Sequence, residues 1–386
     1  MKPTTTHRLL LALAASLTLL YPTHAQLSVE WITQYGSSNS ERGQAIAVDV
    51  LGQSWVAGYT FGNLGGTNAG GGDYILSRLS PAGTVDFTQQ RGGTGDDVGR
   101  GVALVGGSTV FAGGWTGSNP LDGQATLGGR DAFAGRFDTS GTWQGTTRIG
   151  SSEFDQGFTL AGNATHLLMA GGTYGDFDSQ SSAGDSDAFL TKRDSNGALV
   201  WTRFAATTGY DEGRATAFDN GGNAYLAGYT QGSFSGFSNA GQDDFFVTRY
   251  DSDGNRTLLK QLGTSGQDFT IDMEVDLAGN IYLTGSTTGA LGGQTNAGNS
   301  DASVMKLDGT GSVLWTRLLG GSDFEESLGL ALDGAGHVWI GGYSGSSFGG
   351  HTDAGGLDAF VAQYDTDGNL LGTTGWPPPV PTTSSG

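Results

Sequence analysis

Short apolar runs alternate with clusters of Gly, Asn, Asp and Ser along almost the whole chain, and the alternation itself recurs. One unit shows the pattern. Gly213–Asp219 (GRATAFD) alternates small and apolar positions, and Asn220, Gly221 and Gly222 turn the chain. Ala224–Thr230 (AYLAGYT) is apolar, and a loop rich in Gly, Ser and Asn leads on to Asp243–Tyr250 (DDFFVTRY). Asp251 to Gly254 turn the chain again, and Arg256–Leu262 closes the unit. Period-two alternation bounded by turn residues predicts four short strands per unit.

Six such units follow one another. An acidic column recurs every 56 to 58 residues at Glu41, Asp97, Asp155, Asp211, Asp268 and Glu325. A second, opening the third strand, falls at Asp73, Asp131, Asp187, Asp243, Asp301 and Asp358. A glycine inside the second strand recurs at Gly58, Gly113, Gly171, Gly228, Gly285 and Gly342. The turn between third and fourth strands ends in Gly83, Gly141, Gly197, Gly254, Gly311 or Gly368, as a positive-φ hairpin position requires. The first-to-second turn has Gly in the same place in five repeats, and Asn163, the next best residue for a left-handed conformation, in the other. A fixed period built from four hairpin-linked strands predicts an all-β fold, a six-bladed β-propeller of four-stranded antiparallel blades. Ser28 to Trp31 match a fourth strand such as Ser312 to Trp315. The N-terminal strand is therefore expected to close the ring by completing the last blade, leaving no open sheet edge. Asn369–Thr374 is the rival for that place.

The ends read differently. Lys2 and Arg8, an apolar run from Leu9 to Leu20, and the small residues Thr23 and Ala25 flanking His24 spell a secretory signal peptide over residues 1–25. The propeller then occupies 26–375, and 376–386 form a Pro/Ser/Thr-rich tail. A secreted or periplasmic protein is expected, cleaved near Ala25, without membrane insertion, and monomeric. With no cysteine, disulfides and thiol chemistry are excluded. Cleavage leaves 16 basic against 38 acidic residues, a net charge of −22, which makes nucleic acid a poor partner. Seventy glycines is about two and a half times ordinary usage, but aromatic residues alternate between them, so the glycines belong to turns rather than to disorder.

The AGYT strand, the Asn-Ala-Gly loops at Asn68, Asn239 and Asn296, and the Asp-Ala-Phe strand starts at Asp131, Asp187 and Asp358 resemble the bacterial beta-propeller repeat family SBBP. The resemblance covers nearly all of Leu27–Thr374. It implies an exported bacterial propeller of largely undefined activity. The family name implies seven blades, and this chain supplies six.

Candidate chemistry is sparse. His166, His337 and His351 show no metal-ligand spacing, and no nucleophile elbow is present. The D-x-x-G-x-x-x-W turns at Asp194–Trp201 and Asp308–Trp315 differ in spacing from the S-x-D-x-G-x-T-W turn of sialidase-like glycosidases. Asp251–Asn255 and Asp365–Asn369 resemble half of a calcium loop without its closing Glu, and sit where other repeats have plain hairpins. The column Glu41, Asp97, Asp155, Asp211, Asp268 and Glu325 precedes the innermost strands. It is expected either to ring a channel mouth, where it would bind a cation such as calcium, or to hydrogen-bond the backbone of its own blade. The column Asp73 to Asp358 is expected to be structural. No catalytic residue and no other cofactor emerges. The long second-to-third loops, with Phe61, Asn119, Phe234 and Phe348, point to a non-catalytic binding or scaffold module for protein or polysaccharide. A carbohydrate-active enzyme (glycosidase or lyase) using channel-mouth carboxylates, and a structural surface or matrix protein, are the alternatives.

Overall fold

The computed structural model describes residues 30–349, 353 and 355–376. The expected signal peptide, His351 and nearly all of the tail lie outside the described residues. Every sheet is four-stranded and antiparallel, six sheets in all, and no helix occurs among the described residues. This is a six-bladed β-propeller. The chain divides into two compact units, the described residues up to Ala206 and those from Thr207 onward.

The first unit holds three blades. Blade 1 is β1 (Glu41–Val48), β2 (Ser54–Thr60), β3 (Asp73–Leu79) and β4 (Val85–Arg91). Blade 2 is β5 (Asp97–Val105), β6 (Thr109–Thr116), β7 (Asp131–Asp138) and β8 (Trp143–Ile149). Blade 3 is β9 (Asp155–Gly162), β10 (His166–Thr173), β11 (Asp187–Asp194) and β12 (Leu199–Ala205). The first strands β1, β5 and β9 lie side by side, so each blade has its first strand innermost. The core sits between blades. Trp55, Tyr74 and Leu76 of blade 1 meet Val110, Phe133 and Phe137 of blade 2, with Tyr74 and Phe133 ring centroids 4.7 Å apart. Full burial of each such side chain contributes about 1.5–3 kcal/mol.

The second unit repeats the scheme. Blade 4 is β13 (Asp211–Phe218), β14 (Ala224–Thr230), β15 (Asp244–Tyr250) and β16 (Arg256–Leu262). Blade 5 is β17 (Asp268–Val275), β18 (Ile281–Thr287), β19 (Asp301–Leu307) and β20 (Val313–Leu319). Blade 6 is β21 (Glu325–Leu332), β22 (His337–Ser344), β23 (Asp358–Asp365) and β24 (Leu370–Trp376).

Three sequence expectations change. First, β24 pairs with β23 from Ala359↔Trp376 to Tyr364↔Leu370 and fills the fourth place of the last blade, while residues 30–40 form no strand. The reason is chain entropy. β24 follows β23 through the same tight turn as every other blade, with Gly368 at φ 79°, whereas the N-terminal strand would have to return across the whole chain. The N-terminal segment still docks as a fourth strand does: Trp31 Nε1 donates to Pro81 O at 3.0 Å, as Trp315 Nε1 donates to Thr366 O at 2.9 Å. Second, Asn163 is not left-handed. Its Oδ1 accepts Thr165 N and His166 N at 2.9 and 2.8 Å, the role Asp49 Oδ1 plays for Leu51 N and Gln53 N. Third, two columns shift by one residue. The blade 4 strand opens at Asp244 rather than Asp243, and the blade 2 glycine facing the first strand is Gly114 rather than Gly113.

Candidate functional site

The first acidic column opens β1, β5, β9, β13, β17 and β21, and all but Glu41 are wholly buried. Each acid is engaged by its own blade. Asp97 accepts Gly93 N and Ser118 Oγ, both at 2.7 Å, and the Thr116 hydroxyl. Asp155 accepts Ser151 N at 2.6 Å and the Thr173 hydroxyl at 2.5 Å, and Asp211 accepts Thr207 N at 2.5 Å. Asp268 takes Thr264 N at 2.5 Å and the Thr287 hydroxyl; Glu325 takes Gly321 N, Ser344 Oγ and Ser346 Oγ at 2.7 to 2.8 Å. Glu41 accepts Thr60 Oγ1 at 2.9 Å and the Ser37 hydroxyl. A Ser or Thr at the end of the second strand is thus part of the motif. Among the described residues no three His, Asp or Glu side chains converge as a metal-holding group.

The second column stands directly behind it. Asp73 accepts Ala69 N at 3.0 Å and Gln90 Nε2 at 2.9 Å, Asp131 accepts Leu127 N at 3.0 Å and Arg148 at 2.5 Å, and Asp244 accepts Ala240 N and Gln261 Nε2. Asp187 and Asp301 take Ala183 N and Ala297 N at 2.8 and 3.0 Å, and Asp358 opens β23 in a buried position. Asp243 instead holds two amides, Gln231 Nε2 and Gln267 Nε2, at 3.1 and 3.2 Å. Within each unit the columns meet across a glycine. A Cβ on Gly92 would lie 2.1 Å from Asp73 Oδ1 and 2.9 Å from Asp97 Oδ2; one on Gly320 would lie 2.3 Å from Asp301 Oδ1 and 2.7 Å from Glu325 Oε2. Burial pushes the carboxyls of Asp97, Asp155 and Asp268 upward, the hydroxyl donors pull them back, and the neighbouring column adds a smaller upward push.

The long loops are anchored rather than free. Leu121, Phe177, Phe234, Leu291 and Phe348 each insert into the core at 8% exposure or less. Phe234 and Phe348, expected at a binding face, are therefore core plugs: each lies edge-on to a third-strand ring, Phe246 and Phe360, at 5.2 and 5.3 Å. The aromatic rings that stay exposed at the long-loop ends of their own blades are Phe61, Phe154 and Tyr174 in the first unit and Phe324 in the second, between 45% and 54%.

Two groups of charged residues stand out in the second unit, the first of them shared in part with blade 6, where Glu326 accepts the Tyr343 hydroxyl. Glu212, buried, accepts Tyr210 OH at 2.5 Å, Tyr229 OH at 2.8 Å and an Arg214 nitrogen at 2.7 Å. Burial and the Glu212 charge push the Tyr229 phenol up, so it stays neutral and serves as a fixed donor rather than a nucleophile. In β17, Asp272 stands where the other first strands have Ala45, Gly101, Thr159, Ala215 and Gly329; Glu274 stands where they have five alanines. Asp272 reaches the next blade, accepting Leu330 N at 2.8 Å. Burial pushes Asp272 up to about 6 and, with the Asp272 charge added, Glu274 up to about 7. The signal for both was present in the sequence as a departure from a column of small residues.

Raised folded-state values fix the sign of a pH effect. The pair contributes its stability below about pH 4, where both carboxyls are protonated folded or unfolded, and loses it as pH rises through about 6 and 7. The double change Asp272→Asn with Glu274→Gln is expected to remove that loss, gaining about 2 kcal/mol over the parent near pH 8 and nothing near pH 4. Urea unfolding of both proteins at the two pH values measures it. An equal difference at both would place the effect outside titration.

The family match falls on the stretch from the end of β16 through β17 and β18 into the following loop. Residues 259–293 match the SBBP beta-propeller repeat. The other blades carry the same acidic and glycine columns in the registers given above. Among curated proteins, the regulatory protein FlaEY of Caulobacter vibrioides is 28% identical over 140 residues, which cover 33% of this chain and 15% of that one. This chain thus spans a small part of that relative's length. Among solved structures, Sqt1 from Chaetomium thermophilum aligns at TM-score 0.47 and 12% identity over 86% of this chain and 71% of its own. A polysaccharide lyase of family PL25, an ulvan lyase, aligns at 0.46 and 10% identity over 85% and 79%. YCF48 bound to a D1 peptide aligns at 0.43 and 12% identity over 86% and 82%.

Proposed function

We propose that this propeller is an exported, non-catalytic binding module that engages protein or polysaccharide through the long-loop ends of its blades. The observation that carries the reading is the exposure, each on a strand terminus of its own blade, of Phe61, Phe154 and Tyr174 in the first unit and of Phe324 in the second, between 45% and 54%. Apolar rings held in water by a rigid scaffold are a cost to the free protein, and a partner that covers them recovers it. The first acidic column supports the reading from the other side, because each of its carboxylates accepts hydroxyls or backbone amides of its own blade. Export rests on the leader over residues 1–25, and a secreted or periplasmic location follows from it.

A carbohydrate-active enzyme is the second reading. Asp272 and Glu274, two adjacent carboxyls raised to about 6 and 7, favour it, since general acids are tuned in this way. Glycan-array binding combined with a turnover screen on acidic and neutral polysaccharides separates the two. Binding without turnover is the expected result; turnover abolished by Glu274→Gln would establish the enzyme instead.

A further inference from the structure

The first unit carries one feature that no other blade repeats. Arg130, at the end of the long loop of blade 2, lays its guanidinium 3.7 Å from the centroid of the Trp115 ring. On the side of blade 3 the Phe154 ring lies 6.0 Å from the same carbon. Tyr174 stands beside Phe154, with its backbone N donating to Phe154 O at 3.0 Å. Phe154 is 52% exposed and Tyr174 45% exposed. Arg130 makes no ion pair or side-chain hydrogen bond among the described residues; its guanidinium is partly desolvated, with Asp96 the neighbouring charge. The equivalent positions elsewhere never combine these groups. Where blade 2 has Trp115 and Arg130, blade 5 has Ser286 and Ser300.

We infer that Trp115, Arg130, Phe154 and Tyr174 form a stacking subsite for a neutral hexopyranose unit of a polysaccharide. This deepens, and rests on, the binding reading above. A pyranose ring has an apolar C–H face and a rim of hydroxyls. The exposed Phe154 and Tyr174 rings match the face, and the N–H groups of a guanidinium held over the Trp115 ring match the rim. The groups are pre-organised. Arg130 and Phe154 are tied by a parallel β-bridge, and Asp155 N donates to Arg130 O at 2.8 Å, so little side-chain freedom is lost on binding. Gly129 leaves room for the Phe154 ring: a Cβ there would touch it at 3.3 Å. Charge selects among saccharides. The mature chain carries −22, and Asp96 and Glu153 flank the patch, so uronates, sulfated sugars and acidic peptides are repelled while a neutral sugar is not.

The test titrates the mature chain, by calorimetry and tryptophan fluorescence, with neutral hexasaccharides of glucose, mannose and galactose, with an oligouronate, and with an acidic peptide. A neutral hexasaccharide is expected to bind, with affinity falling at least tenfold in Arg130→Ala and in Phe154→Ala. Tyr174→Ala changes a side chain that is 45% exposed, so it keeps the test valid if Arg130→Ala fails to fold; it too is expected to weaken binding with the fold retained. Glycan binding that all three variants retain overturns the subsite and leaves the binding reading standing, as does a preference for the oligouronate or the peptide. Absence of any saccharide binding overturns the subsite, and absence of any protein partner as well overturns the reading on which it rests.

Discussion

Gly285→Ala is expected to lower stability by about 3 kcal/mol or more, beyond the usual range for an overpacked site. The first strand of each blade carries a β-bulge, here between Thr270 and Asp272, which swings a backbone carbonyl toward the second strand. A Cβ on Gly285 would stand 1.7 Å from Phe269 O and 2.8 Å from its carbonyl carbon. Backbone on both sides is fixed by the ladder, so nothing flexible can move aside. The same clash recurs at Gly228, 1.8 Å from Glu212 O, and at Gly114, 1.9 Å from Val98 O. Gly341 is the control, because a Cβ there meets nothing nearer than Phe360 O at 3.6 Å. Gly341→Ala is expected to change stability by less than about 1 kcal/mol. Urea midpoints of the two variants should differ by the full effect; equal midpoints would mean that the bulge does not hold this register in solution.

Asp97→Ala is expected to cost about 3–5 kcal/mol, a large part of the stability of an ordinary domain. The change strands Gly93 N, the Thr116 hydroxyl and the Ser118 hydroxyl in a wholly buried site. Each unsatisfied donor costs about 1–3 kcal/mol. Asp97→Asn keeps one acceptor oxygen and removes a buried charge that faces Asp73, so it is expected to cost less than half as much. Thermal unfolding of the pair gives the ratio. A larger loss for Asn than for Ala would show that the charge itself, rather than its acceptor capacity, holds the blade.

The blades were legible because each element announces itself six times, and chance resemblances do not recur in phase. Errors crept in where neighbouring residues are identical. Gly113 and Gly114 fit the column equally well as letters, as do Asp243 and Asp244, and only the pairing register Val98↔Trp115 or Thr230↔Asp244 separates them. Phe234 and Phe348 read as parts of a solvent loop because Gly and Ser surround them. Their recurrence in step with Leu121, Phe177 and Leu291 was the overlooked sign of a buried plug. Trp31 imitated the fourth-strand Trp315 down to the same indole-to-carbonyl bond, yet the ladder of the last blade went to the locally connected β24. The candidate site was hardest to see. Arg130 and Phe154 lie in different repeats, and their meeting depends on how blades 2 and 3 pack, which periodicity does not encode.

Positions that repeat hold the blades, and exposed rings at the long-loop ends of the blades are proposed to meet the partner. Thermal unfolding of Asp97→Ala beside the double variant Phe154→Ala with Tyr174→Ala tests that division most directly. The predicted result is a fall of about 10 °C for the first, and a shift within about 2 °C for the second, as for surface substitutions generally. A double variant that melts as early as Asp97→Ala would make the exposed rings part of the scaffold and contradict the account.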